Sequence, residues 1–81
     1  MDEQLQNIVE ALDELIGDGA VPRNIKAKVE EVIGVLKDDS QERSLKINKA
    51  LSELDEISED ANLQAHSRTQ IWNIASMLEM F

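Results

Sequence analysis

The sequence predicts an all-α protein: four helices forming two antiparallel helical hairpins in a compact bundle, as one domain over residues 1–81. Three observations carry this. Apolar residues recur every three or four positions along four segments, the spacing of a helix face. Short linkers rich in Gly, Asp, Ser and Asn separate the segments, so neighbouring helices must fold back on each other. No stretch alternates apolar and polar residues as a half-buried strand does.

The first helix is expected over 2–16, with Leu5, Ile8, Val9, Leu12, Leu15 and Ile16 as its inward stripe. Asp2 or Glu3 suits its positive N-terminal end. Gly17-Asp18-Gly19 should end it, since glycine accepts a left-handed C-cap at little cost. The second helix opens near Pro22, where proline sacrifices no useful donor. Its stripe is Ile25, Val29, Val32, Ile33 and Leu36. Gly34 lies within it at a cost of up to about 1 kcal/mol against Ala, which predicts a close helix approach there.

Ser40 or Asp39 is expected to cap a third helix over 41–58, with Ile47, Ala50, Leu51, Leu54 and Ile57 facing inward. Asp60-Ala61-Asn62 is the next turn. The last helix should run over 64–80 on a face of Ile71, Ile74, Ala75 and Leu78.

The two halves align without a gap at an offset of 42 residues. Leu12-Asp13-Glu14-Leu15 falls on Leu54-Asp55-Glu56-Ile57, Asp18 on Asp60, Val21 on Leu63, Lys26 on Arg68 and Leu36 on Leu78. A two-helix unit of this length is the size class of HEAT and armadillo repeats. The sequence therefore predicts a HEAT-like repeat. Its second copy is imperfect, because Ser67-Arg68 stands where the first half has Ile25-Lys26.

Composition narrows the function. The chain has 17 acids against 8 bases, a net charge of −9, and no cysteine. Without cysteine there is neither a disulfide framework nor a thiolate metal site. No apolar run is long enough to cross a bilayer. The acidic start Met1-Asp2-Glu3 does not resemble a signal or transit peptide, so a cytoplasmic protein is expected. A domain of this size buries only roughly 60% of the surface its unfolded chain exposes and is marginal alone, which raises the prospect of a partner chain.

The residues that could carry catalysis are sparse. The serines lie in helices or at caps, with no nucleophile elbow. The single histidine, His66, has neighbours only in sequence and reads as a surface group. Carboxylate pairs such as Asp13-Glu14 and Asp55-Glu56 lack the staggered loop of a calcium site and read as solvated helix faces. Gly17-Asp18-Gly19 is too short to cradle a phosphate. No enzyme activity, cofactor or metal is expected.

Charge is unevenly spread. Residues 1–18 carry six acids and no base, whereas 22–37 carry four bases and two acids. Arg23, Lys26 and Arg68 are thus candidate polar contacts. Phosphate binding could use them, but the overall negative charge and the lack of interleaved aromatics disfavour nucleic acid. The apolar excess is more telling. At about 100° per residue, Trp72, Met77 and Met80 fall off the inward stripe of the last helix, with Phe81 at its edge and Val35 similarly off-stripe on the second. A helix apolar around much of its girth is usually buried on more than one side, and Trp and Met favour interfaces. These five residues are the candidate protein interface.

Val21-Pro22-Arg23-Asn24-Ile25, His66-Ser67-Arg68-Thr69-Gln70-Ile71-Trp72-Asn73-Ile74 and Leu54-Asp55-Glu56-Ile57-Ser58-Glu59-Asp60 together resemble uncharacterised protein family 0147, small archaeal proteins. The resemblance spans essentially the whole chain. It implies a cytoplasmic, all-helical, single-domain protein and brings no activity, substrate or cofactor with it. It singles out Arg23, Asn24, Arg68, Thr69 and Trp72 as motif members. Gln64 stands where the family pattern tends to have proline. The expected function is therefore a non-enzymatic interaction or oligomerisation module, forming a homo-oligomer or binding another protein. The alternative is an accessory protein of translation or other nucleic-acid machinery, touching RNA through the basic second helix.

Overall fold

The computed structural model describes residues 3–80, and Phe81 and the first two residues lie outside that range. Four helices form among the described residues: α1 (Glu3–Gly17), α2 (Arg23–Lys37), α3 (Arg43–Ser58) and α4 (Ala65–Glu79), with no strand. A 15-residue helix spans about 22 Å, so overall dimensions of 32 × 19 × 18 Å place the helices side by side. α1 adjoins α2, α2 adjoins α3, α3 adjoins α4, and α4 closes back on α1; the diagonal pairs are not adjacent.

The predicted stripes meet at the centre. Leu12, Ile25, Val29, Val32, Leu36, Ala50, Leu54, Ile57 and Leu78 are sealed from solvent. Ile16, Leu51 and Ala75 sit at the edge of this core, half-buried. Val21 and Leu63, both in turns, are buried as well and plug one end of the bundle. Each large aliphatic side chain fully removed from water contributes roughly 1.5–3 kcal/mol.

The helix ends differ from the sequence expectation. No described glycine has positive φ, so α1 does not end in a left-handed glycine. An aspartate turn ends it instead: Asp18 donates its N–H to the Leu15 carbonyl, and its Oδ1 accepts from the Ala20 N–H at 2.9 Å. The same device recurs twice. Asp38 Oδ1 accepts from the N–H and hydroxyl of Ser40, and Asp60 Oδ1 accepts from the Asn62 N–H. Ser40 is thus a turn residue and not the cap of α3. Its bonds, helped by the charge of Lys46, hold the Asp38 carboxyl below the ordinary carboxylate range. The residues before α2, α3 and α4 are Pro22, Glu42 and Gln64, all extended and none making a side-chain cap bond.

Gly34 corrects a second expectation. A Cβ built there meets nothing within 4 Å, so no helix approaches closely. The position is exposed. Gly34→Ala is therefore expected to raise stability by roughly 0.5–1 kcal/mol through backbone entropy alone. The check is the urea midpoint, which should rise with the m-value unchanged. A falling midpoint would mean the space is needed.

Candidate interaction surface

Helical rotation separates the candidate residues into two groups. At about 100° per residue, Met77 and Met80 turn from the core face of α4 toward α1, while Trp72 turns the other way, toward α3. The structure agrees with this division. Met77 and Met80 line a hollow of about 130 Å³ with Gln4, Asn7 and Ile8 of α1. Met77 also lines a second hollow of about 190 Å³ with Ala11, Glu14, Leu15, Gln70, Asn73 and Ile74. The two hollows share Met77 and form one groove along the α1–α4 seam. Trp72 is 55% exposed and lines neither hollow. Val35 is half-buried on α2, which is not adjacent to α4. Phe81 lies outside the described residues. Leu45, 59% exposed on the first turn of α3, is a further bare apolar residue. Its spacing marks it as outward-facing, but a single Leu off a stripe carries no signal of its own in a sequence.

The groove is unlike the rest of the surface. Nearly a third of the chain is charged, yet Glu14 is the one charged residue lining the groove. Apolar side chains make its floor, and the amides of Gln4, Asn7, Gln70 and Asn73 edge it. The Gln70 Oε1 is buried with no hydrogen-bond donor in reach. Two further buried oxygens share that condition: Ser67 Oγ and Glu53 Oε2. Glu53 faces a small hollow between α2 and α3, beside Lys28, Glu31, Glu56 and Ile57.

The polar candidates also divide. Arg68 donates from Nε to the Ser58 carbonyl at 2.8 Å, and from Nη2 to the carbonyls of Asp60 and Leu63 at 3.2 and 3.0 Å. Its guanidinium is spent inside the chain, gathering the turn between α3 and α4, and it is a fold residue where the sequence offered a contact residue. Lys46 stands eight residues after Asp38 as Arg68 does after Asp60, and its Nζ reaches the Asp38 carbonyl at 3.4 Å. Lys26 is half-buried at the same distance from Asp18, and Arg23 is exposed. Asn24 donates from Nδ2 to Asp60 Oδ2 at 3.4 Å, tying the start of α2 to the end of α3. Thr69 turns its hydroxyl back onto the Ala65 carbonyl.

Among the described residues, no three His, Asp or Glu side chains converge as metal ligands would, and His66 stands exposed. No described helix is long and apolar enough to cross a membrane.

A family model described as an uncharacterised protein family (UPF0147) matches residues 1–81. The chain is 42% identical over 80 residues to the UPF0147 protein TK2131 of Thermococcus kodakarensis, covering 98% of this chain and 96% of that one. It is 39% identical over 77 residues to the UPF0147 protein of Methanosarcina acetivorans, covering 95% and 79%. The crystal structure of the protein of unknown function MMP1188 superposes with a TM-score of 0.92 at 42% identity, covering 98% of this chain and 90% of that one.

Proposed function

Because the chain belongs to uncharacterised protein family UPF0147, its function must be read from its own surface, and we propose a non-enzymatic protein-interaction or oligomerisation module of the cytoplasm. The observation that supports this is the apolar surface left on α4. Met77 and Met80 open into the α1–α4 groove, and Trp72 projects from the other flank. Water contact with so much apolar surface on one short helix is unfavourable. A second copy or another protein would remove it.

The same reading treats the chain as two helical hairpins forming a HEAT-like repeat. Support comes from the turns. The turn at Asp38 shares the N–H bond back to the helix and the carboxylate bond two residues on, but the bonds from the Val21 and Leu63 N–H groups to the Asp18 and Asp60 carbonyls pair the two turns that lie 42 residues apart. The N–H groups of Lys26 and Arg68 likewise donate to Pro22 and Gln64. Two repeats leave open faces that longer arrays cover with further repeats.

RNA contact through α2 is the weaker reading. Lys26 is half-buried and Arg68 is engaged with its turn, which thins the basic surface that phosphates would need.

Light scattering at two concentrations tests the proposal. The expected mass is a multiple of 9.1 kDa, and Trp72→Ala is expected to cut the associated fraction severalfold with helical circular dichroism unchanged. Trp is a common anchor of interfaces. A variant with wild-type helicity and wild-type mass would remove Trp72 from the interface. A wild-type monomer that captures no partner would sink the module itself.

A further inference from the structure

The α1–α4 groove is asymmetric, and the asymmetry specifies an occupant. Glu3, Glu10 and Glu14 follow each other at seven and four residues, which stacks them in one row along α1. All three are exposed, and Glu14 itself lines the groove. Glu14 thus stands at the groove's α1 rim, Glu3 and Glu10 continue its row along the outer side of α1, and α1 carries no base to offset them. The opposite rim, from Gln70 through Asn73 to Met77 and Met80, is uncharged. Between them lies the apolar floor of Ile8, Ala11, Leu15 and Ile74.

We propose that this groove docks an amphipathic helix of another protein, with its apolar face on the floor and a line of Lys or Arg along the Glu3–Glu10–Glu14 row. Apolar anchors at helical spacing in a groove between two helices are an established mode of peptide recognition. The groove's length fits. It runs from Gln4 and Met80 at one end to Glu14 and Gln70 at the other, ten residues of helix, or about 15 Å and three turns of an incoming helix. Another protein fits better than a second copy, since a copy brings a net charge of −9, and its one basic helix, α2, already has its apolar face of Ile25, Val29, Val32 and Leu36 sealed in its own core. Met77 and Met80 supply the adaptable surface that accommodates varied apolar partners.

The inference rests on the interaction-module reading and specifies its partner. The test uses labelled amphipathic peptides of about 14 residues, four helical turns, titrated by fluorescence anisotropy into the intact chain. One carries a lysine row beside its apolar face, one a glutamate row, and one the lysine composition with the apolar pattern scrambled. The lysine-row peptide is expected to bind at least tenfold tighter than either of the others, and to weaken as salt rises.

The variant E3Q/E10Q/E14Q changes only exposed side chains, so the fold is kept, and it should erase the lysine preference. Ala11→Arg should abolish binding, whereas Trp72→Ala, on the other flank, should leave it unchanged. Equal binding of lysine-row and glutamate-row peptides would overturn the charge-selected partner. No binding by a chain that light scattering shows to be oligomeric would overturn the docked helix and leave the module reading intact. No binding by a monomer that captures no protein would end both.

Discussion

Arg68→Ala is expected to destabilise the chain by about 3 kcal/mol, since it removes a charged donor from three backbone carbonyls and its aliphatic stem from the half-buried turn. The carbonyls of Ser58, Asp60 and Leu63 converge on this one guanidinium. Ser58 carries the last carbonyl of α3, which finds no partner within its own helix, and the other two belong to the turn that follows, where the Asp60 carbonyl also accepts from the Leu63 N–H. Stability for a domain of this length is about 4–12 kcal/mol, so the loss is a large fraction of the whole. In a domain of this size it lowers Tm by roughly 15 °C. Arg68→Lys should recover only part of the loss, because an ammonium lacks the planar fork that bonds several carbonyls at once. Urea denaturation of wild type, Arg68→Lys and Arg68→Ala should rank in that order. Equal midpoints for all three would show that the turn does not depend on the guanidinium.

Ser67→Ala should act in the opposite direction, raising stability by about 1–2 kcal/mol. Ser67 is 1% exposed and its hydroxyl has no hydrogen-bond partner. Burying a hydroxyl without a partner costs about 1–3 kcal/mol, and alanine removes that cost while improving helix propensity by a few tenths. Only one oxygen's volume is lost, so the cavity term is small. The measurement is thermal unfolding by circular dichroism, where a gain of about 1 kcal/mol raises Tm by roughly 4–8 °C. A lower Tm would mean that the hydroxyl finds an acceptor, such as a carbonyl of the preceding turn. The neighbours Ser67 and Arg68 thus have opposite effects on one turn of α4: Ser67 weakens the core that Arg68's turn encloses.

Much of this was legible in the sequence, for a physical reason. Burial of one helix face imposes a spacing that survives in the letters, so Leu5, Ile8, Leu12 and their counterparts in α2, α3 and α4 identified themselves as core. Val21 and Leu63 were visible only as aligned positions, because a turn residue has no periodicity to betray its burial. The helix ends were harder. Gly17 and Gly19 signal a left-handed cap by composition, but the Asp18 carboxylate does the work of ending the helix with ordinary backbone angles. Gly34 suggested contact because glycine often marks one, yet open space lies beside it. On the surface, the sequence grouped Trp72, Met77 and Met80 as one interface because all three leave the inward stripe, whereas the structure sets Met77 and Met80 on the α1 seam and Trp72 on the other flank. That α1 supplies the other wall of the Met77 groove could not be read, since adjacency of the first and last helices is a property of the closed bundle. Arg68 misled for a similar reason. A charged residue reads as available until its neighbours in space are known.

The closing of α4 onto α1 also has a meaning for the chain as a polymer. Every other helix contact joins neighbours in sequence, and such local contacts form early and cheaply. The α1–α4 seam is the one joint that must wait for the full loop to close. It brings Gln4 beside Met80, so a few flexible residues are enough to join the two ends covalently. New ends opened in the exposed turn around Asp39 would then give a circular permutant whose slowest contact has become its most local one. The seam that would hold a partner's helix is thus also the place where the order of assembly of this small bundle can be rewritten without touching its core.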